Sequence, residues 1–167
     1  MTTSADASRR PTWGLVFGSP APLIAFGFGL GKSPVAPGTV GTLAALPLFH
    51  LLAPRLGDAA LLALAAAMFA VGVWACERTG RLLGAHDHGG MVWDEITAFL
   101  LVLIVTPRDP LWQAFAFVLF RGFDIAKPPP IRRFERRFRN GFGVMADDLI
   151  AAFYALLCLA VWRFLFG

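Results

Sequence analysis

Charged residues are scarce in this 167-residue chain: Asp, Glu, Lys and Arg make up 16% of it, whereas hydrophobic residues make up 57%. A soluble domain usually carries about 25% charged and about 45–50% apolar residues. So apolar a chain is typical of a membrane protein, and the composition excludes an intrinsically disordered one. We expect a single domain of this length, with no separate soluble catalytic domain, so that any chemistry lies in the membrane part itself.

Cysteine is also scarce, with Cys76 and Cys158 lying in apolar stretches. Their number and spacing exclude a disulfide framework and a paired-cysteine zinc or redox site. The sequence lacks the Walker loop and the paired-aspartate, cysteine–arginine and lysine–arginine–proline nucleophile patterns of common phosphatases. The formal net charge of +4 indicates contact with anionic lipid, and we expect no nucleic-acid partner.

Long stretches without charge predict membrane helices, because an ion is costly in hydrocarbon and a span needs about 20 apolar residues. The pattern predicts an all-α, multi-pass membrane bundle of four to five transmembrane or membrane-embedded helices. We expect these helices at residues 40–54, 59–76, 93–106, 110–126 and 148–166. Many glycines and prolines predict a broken or interfacial segment at 11–31. We expect residues 1–12 to form a flexible tail and residues 13–167 to form one membrane-embedded domain.

The charges separate the two faces of this arrangement. The tight turns that contain Arg55 and Arg108 are each neutral overall, whereas the opposite face holds twelve of the fifteen basic residues. The positive-inside rule therefore predicts that the basic face is cytoplasmic. The same face gathers eight of the eleven acidic residues, not counting Asp6 in the predicted tail. We expect the chemistry at this edge of the membrane.

Five carboxylates on the basic face are candidate metal ligands, because antiparallel packing places the start of one predicted helix beside the end of the next. They are Asp94, Glu95, Asp124, Asp147 and Asp148, of which the last two are expected to open the final helix. Arg121, Asp124 and Lys127 recur at a spacing of three and share one helical face. Divalent cations such as Mg²⁺ take carboxylate and phosphate oxygens, while Arg and Lys neutralise phosphate. The set predicts a Mg²⁺ site for phosphate chemistry.

Two glycine-containing segments are expected to border these carboxylates. The segment SPVAPGTVGT enters a membrane helix, so the backbone at Gly38 and the hydroxyl of Thr39 could line a phosphate site at a helix N-terminus. The segment NGFGVMADD is expected to form a second, flexible glycine loop beside the Asp147–Asp148 pair. The predicted substrate contacts are thus Gly38 and Thr39 with the cations Arg121 and Lys127.

Each feature taken singly also has a plain structural explanation. Acidic pairs are common helix caps, Arg121 with Asp124 is a common interfacial ion pair, and RRFERRFR is typical of a lipid-facing basic stretch. His86 and His88 around Asp87 could chelate a transition metal, but with no third ligand of that kind nearby an exposed polar loop is favoured. Only the convergence of the whole set on one face favours function.

Four segments resemble the signature blocks of a known family: SPVAPGTVGTLAALP, HDHGGMVWDE, FRGFDIAKPPPIRRFE and GFGVMADDLIAA. In this order they are similar to the phosphatidylglycerophosphatase A family of bacterial, Mg²⁺-dependent membrane lipid phosphatases. The resemblance runs from about Phe26 to Phe153. It implies removal of the terminal phosphate of phosphatidylglycerophosphate, which gives phosphatidylglycerol and inorganic phosphate. It also implies a multi-pass protein of the bacterial inner membrane.

The family blocks coincide with the candidate residues derived above. They contain Thr39, Asp94, Glu95, Arg121, Asp124, Lys127, Asp147 and Asp148. Our mechanistic hypothesis is that the five carboxylates hold Mg²⁺ and position a water or a carboxylate nucleophile, while Arg121 and Lys127 offset phosphoryl charge. The chain departs from the family pattern at Pro129 and at Lys32, which is a candidate phosphate contact.

A small multi-pass transporter or ion-pathway protein is the alternative, since carboxylates and cations can also line an ion path. Transporters usually place polar residues near the bilayer midplane and contain an inverted repeat. Here the predicted helix centres are apolar and the ionisable groups lie at one edge. The sequence leaves open the number of metal ions, the acyl-chain preference, the oligomeric state and the choice between water and carboxylate attack.

Overall fold

The computed structural model describes residues 11–166, and all regular secondary structure in that part of the chain is helical. Its α-helices are α1 (Trp13–Phe17), α2 (Pro20–Ala25), α3 (Pro37–Leu52), α4 (Asp58–Leu83), α5 (Trp93–Val105), α6 (Pro110–Ala126), α7 (Ile131–Arg137) and α8 (Gly141–Phe166). A 3-10 segment, Gly27–Lys32, follows α2. The all-α prediction is confirmed, as is the broken segment at 11–31. Residues 1–10, which make up most of the predicted tail, lie outside the described residues.

Helix α5 is the centre of the bundle and packs against α3, α4 and α8. Its residues Phe99, Leu100 and Leu103 are fully buried. Helix α8 lies beside it and also contacts α4, α6 and α7. Burial of this apolar surface on several sides fixes α5 and α8 next to each other, so the polar residues near their N-terminal ends are held together.

Two helices, α4 and α8, are each long and apolar enough to cross a membrane. Large apolar side chains remain on the outside of the bundle: Leu111 is 81% exposed and Phe164 is 88% exposed. An apolar outer surface of this kind is unfavourable in water and favourable in hydrocarbon. The fold therefore supports membrane association.

The α3–α4 and α5–α6 hairpins place their turns at the same end of the molecule. Arg108 Nη2 lies 3.3 Å from Asp58 Oδ1, an ion pair that joins one turn to the other. Asp109 begins α6 by accepting hydrogen bonds from the backbone N–H groups of Leu111 and Trp112. The predicted pairing of these turns on one face is confirmed, and the carboxylate-rich helix ends lie at the opposite end.

The start of the last helix was predicted wrongly. Helix α8 begins at Gly141 rather than at residue 148, so NGFGVMADD is not a flexible loop and Asp147 and Asp148 lie inside the second turn. Asn140 Oδ1 accepts a hydrogen bond from the Gly143 N–H at 2.9 Å, and Glu77 Oε2 accepts one from the Gly141 N–H at 2.7 Å. These bonds satisfy N–H groups that a helix start leaves unpaired.

The glycines of this first turn serve close packing. A Cβ at Gly141 would lie 2.6 Å from the backbone nitrogen of Glu77 on α4, so a side chain there would force the two helices apart. Helix α4 likewise extends beyond the predicted residue 76, to Leu83, where Gly84 (φ 67°) ends it in the left-handed conformation. Charged residues at the membrane edge thus continue the helix instead of ending it.

Candidate active site

Three carboxylates converge between α5 and α8. One oxygen from each of Asp94, Glu95 and Asp148 can be chosen so that all lie within 4.8 Å of one another. Asp94 and Asp148 are buried, and the side chain of Glu95 is 13% exposed. Glu95 Oε2 and Asp148 Oδ2 are buried and have no hydrogen-bond partner within the described residues. Buried carboxylate oxygens without partners are costly unless a cation or a proton joins them.

Arg121 connects this group to α3 and α6. Its Nη1 forms a short ion pair with Asp124 Oδ2, one helical turn away, and lies 3.8 Å from Glu95 Oε1. The same nitrogen is 3.5 Å from Thr42 Oγ1. The predicted approach of the two arms of the α5–α6 hairpin is confirmed by the Arg121–Glu95 contact. Three contacts, all made by Nη1, thus hold the guanidinium at the edge of the carboxylate group.

Lys127 lies at the end of α6 and reaches α8 instead of α5. Its Nζ is 2.8 Å from Asp147 Oδ2 and 3.4 Å from Glu135 Oε1 on α7. Burial opposes its charge, but Asp147, Glu135 and Asp87 outweigh that effect and raise the pKa of Lys127 above its ordinary value. Its backbone has φ 42°, an unfavourable conformation for a residue with a Cβ. The neighbouring elements must therefore hold this strained residue in place.

Five predicted carboxylates thus divide into two groups. Asp94, Glu95 and Asp148 form the group that could hold a metal ion, whereas Asp124 and Asp147 bind the two cations. Asp124 also lies beside Asp148, so the groups are contiguous. Five carboxylates against two cations leave an excess of negative charge that a divalent cation would offset. The oxygen-only donor set suits Mg²⁺ rather than a soft transition metal.

Gly38 provides a backbone wall for the site. A Cβ at this position would overlap Glu95 Oε1 and lie 3.2 Å from both terminal nitrogens of Arg121. Pro37 at the first position of α3 turns the chain into the helix at this point. Thr39 follows in the same turn, half-buried, and its hydroxyl makes no hydrogen bond within residues 11–166. The structure therefore brings Gly38 to the carboxylates and leaves the Thr39 hydroxyl available to a ligand.

Sequence reasoning missed two residues that orient the cations. Thr42, fully buried, donates a hydrogen bond to the Gly38 carbonyl at 2.9 Å while its oxygen faces Arg121. Its position one helical turn after Gly38 was the available signal. Glu135 binds Lys127, although the sequence predicts Glu135 to be part of the basic stretch RRFERRFR. Nothing in the local sequence distinguishes Glu135 from the other residues of that stretch.

The loop with His86, Asp87 and His88 does not join the carboxylate group. In the part of the chain that the structure describes, the one cluster with metal-binding geometry contains none of the three. Asp87 nevertheless lies close enough to Lys127 to favour its charged form. The loop therefore contributes to the electrostatics at the edge of the site.

Comparison with known proteins agrees with this geometry. The model of the phosphatidylglycerophosphatase A family matches residues 23–163, a range that includes every predicted site residue. The phosphatidylglycerophosphatase A of Haemophilus influenzae is 44% identical over 140 residues, 83% of this chain and 86% of that protein. The phosphatidylglycerophosphatase A of Escherichia coli is 41% identical over 138 residues, 82% of this chain and 80% of that protein.

A third relative carries a different name. A Bacteroides thetaiotaomicron protein with the provisional name phosphatidylinositol-3-phosphatase is 38% identical over 152 residues, 87% of this chain and 94% of that protein. No solved structure matches the chain.

Proposed function

The chain belongs to the phosphatidylglycerophosphatase A family, and from that premise we propose that it removes the terminal phosphate of phosphatidylglycerophosphate. It is a phosphatase, and its products are phosphatidylglycerol and inorganic phosphate. The observation that carries the assignment to this site is the buried Asp94–Glu95–Asp148 group beside two fixed cations. The alternative function, a transporter, is not favoured, because the named relatives of this chain are phosphatases.

We propose that Asp94, Glu95 and Asp148 hold Mg²⁺. The fit rests on their mutual spacing within 4.8 Å and on the unpartnered oxygens of Glu95 and Asp148. When bound, Mg²⁺ would polarise the phosphoryl group and neutralise part of its charge. The chain itself supplies the positions: Asp94 and Glu95 begin α5, Asp148 lies in α8, and the packing of these helices sets the distance between the carboxylates.

Arg121 and Lys127 bind and orient the phosphomonoester in this proposal. Both cations are pre-positioned, because Asp124 and Thr42 hold Arg121 while Asp147 and Glu135 hold Lys127. Charge that develops on phosphoryl oxygens is stabilised most by donors that need not reorganise during the reaction. The backbone at Gly38 borders the same space from the α3 side, and Thr39 is the next residue in the first turn of α3.

We further propose that the bundle is embedded by four to five helices, α3 to α6 and α8, in the bacterial inner membrane. The Asp58–Arg108 end would face the periplasm. The carboxylate end, with the exposed arginines of α7, would face the cytoplasm, as the positive-inside rule requires. The substrate would then be a lipid of the cytoplasmic leaflet.

Phosphate release from defined lipids in detergent micelles with Mg²⁺ tests the proposed function. Wild-type protein should hydrolyse phosphatidylglycerophosphate more efficiently than phosphatidylinositol 3-phosphate, and Asp124→Asn should be impaired because Arg121 loses its anchor. Gly122→Ala, on the same helix with no neighbouring atom within 4 Å, is the matched control and should keep full activity. Folded wild-type protein that releases no phosphate from phosphatidylglycerophosphate would overturn the proposal.

A further inference from the structure

A cavity of about 170 Å³ that contains charged and polar side chains lies between the 3-10 segment, the start of α3 and the loop before α5. Its lining includes Lys32, Ser33, Pro37, His88, Gly89 and Gly90. None of the residues assigned above to the metal or the phosphomonoester lines it. A water molecule takes about 30 Å³ in the liquid, so the cavity has room for a phosphate-sized group.

The cavity adjoins the active site through the first turn of α3. Pro37 lines the cavity, and the next residue, Gly38, packs against Glu95 and Arg121. Two other lining residues are close-packed, since a Cβ at Gly31 would overlap the carbonyl oxygen of Gly90. A ligand in the cavity would therefore contact Pro37, the residue that precedes the Gly38 contact with Glu95 and Arg121.

Lys32 gives the cavity a positive charge that no carboxylate neutralises within residues 11–166. Its ammonium group donates a hydrogen bond to the Pro11 carbonyl and lies 5.1 Å from the ring centroid of Trp13. These contacts orient the cation without cancelling it. In contrast, a second cavity, of about 210 Å³, is lined by Arg81, which is already paired with Glu77 at 2.8 Å.

His88 supplies a directional donor at the same cavity. Its Nδ1 accepts the Gly90 N–H at 3.0 Å, so the neutral ring carries its proton on Nε2. Burial lowers the pKa of His88, although Asp87 opposes this effect, so the neutral tautomer is the form expected at pH 7. The cavity thus combines a cation with a neutral N–H donor, which suits a singly charged phosphodiester.

We propose that this cavity binds the phosphodiester of the lipid substrate while the terminal phosphomonoester lies at the Asp94–Glu95–Asp148 group. The inference rests on the proposed function and deepens it. Phosphatidylglycerophosphate carries both phosphates on one glycerol, whereas phosphatidate has only the monoester. Arg121 and Lys127 serve the monoester, and Lys32 with His88 serves the diester. The cavity thereby selects lipids that carry a second phosphate.

The test compares wild type, Lys32→Met, Lys32→Arg and Arg78→Met in neutral detergent micelles that contain no other phospholipid. Arg78 is an exposed cation of α4 that lines neither of these two cavities, so its loss controls for net charge. We expect Lys32→Met to lower kcat/KM for phosphatidylglycerophosphate at least about tenfold, Lys32→Arg to restore most of it, and Arg78→Met to have no effect. Because bulk phospholipid is absent, the loss would come from the diester of the substrate itself.

Inhibition gives a second readout that does not depend on hydrolysis of a poor substrate. Glycerophosphoglycerol, a soluble diester, should inhibit wild type competitively and Lys32→Met at least about tenfold more weakly. Inorganic phosphate, which takes the monoester position, should inhibit both equally. Equal loss of inhibition by both anions, or no inhibition of wild type by the diester, would overturn the cavity proposal. Wild type without activity on phosphatidylglycerophosphate would instead overturn the proposed function, and the cavity proposal with it.

Discussion

Replacing Gly38 with alanine adds one methyl group at the wall between α3 and the carboxylates. The new Cβ would overlap Glu95 Oε1 and lie 3.2 Å from both terminal nitrogens of Arg121. Arg121 cannot retreat freely, since Asp124 and Thr42 hold it from other sides. The Glu95 carboxylate must therefore move, and it is one of the proposed metal ligands.

The overlap requires a shift on the order of 1 Å, and a misplacement of that size can cost about 100-fold in rate. This factor corresponds to about 2.7 kcal/mol of transition-state stabilisation. Stability should change much less, because alanine is favoured over glycine inside a helix by about 0.5–1 kcal/mol, which offsets part of the strain. We thus expect a protein that remains folded but releases phosphate about 100-fold more slowly.

The assay is the rate of phosphate release from phosphatidylglycerophosphate, with the melting temperature measured on the same preparations. Gly122→Ala is the matched control, because the same substitution one residue after Arg121 meets no atom within 4 Å. It should keep wild-type activity and gain slight stability. If Gly38→Ala keeps wild-type kcat and wild-type Mg²⁺ affinity, the reasoning about the Gly38–Glu95 contact is wrong.

Three further predictions concern charge and orientation. Asp148→Asn relieves repulsion among crowded carboxylates, so in chelator the variant should have a higher melting temperature than wild type, by about 2–4 °C for each kcal/mol of repulsion relieved. The variant should also lose the stabilisation that Mg²⁺ gives to wild type. A melting temperature below that of wild type in chelator would contradict this prediction. The pKa of Lys127 is raised in the folded protein, so the charge of Lys127 stabilises the fold fully below the unfolded pKa of about 10.4. This stabilisation should be lost only when the pH rises through the higher pKa of the folded state. An alkaline decline in rate between pH 7 and 9 that Lys127→Arg shifts upward would refute that. In a background without native cysteines, thiol reagents should label Arg108→Cys and Arg136→Cys from opposite sides of the membrane, and labelling from one side would contradict the topology.

The helices could be predicted from the sequence where a long stretch without charged residues marks them. A stretch without ions is expected to be helical if it lies in hydrocarbon, because every backbone polar group there needs an internal partner, and the uncharged stretches within α3 to α6 are helical. The start of α8 could not be predicted in this way. Glycines near Gly141 have the composition of a loop, and only the contacts with Glu77 and Asn140 show that they begin a close-packed helix.

The candidate site could be predicted as a set of residues but not as a set of contacts. Antiparallel packing of α5 and α6 is enough to bring Arg121 to Glu95. Lys127 pairs with Asp147 because Lys127 ends α6 in the left-handed conformation and because α8 places Asp147 within its reach. No local sequence pattern encodes either condition. Thr42 acts through its neighbours in space, so its role becomes visible only when α3 lies against Arg121.

The central claim is that Asp94, Glu95 and Asp148 hold the Mg²⁺ on which phosphatase activity depends. A Mg²⁺ titration of phosphate release from phosphatidylglycerophosphate, by wild type and Asp94→Asn, tests it most directly. Wild type should be inactive in chelator and recover with Mg²⁺, while folded Asp94→Asn should need at least about tenfold more Mg²⁺ or show no activity. Undiminished wild-type activity in chelator, or the same Mg²⁺ dependence in both proteins, would contradict the claim.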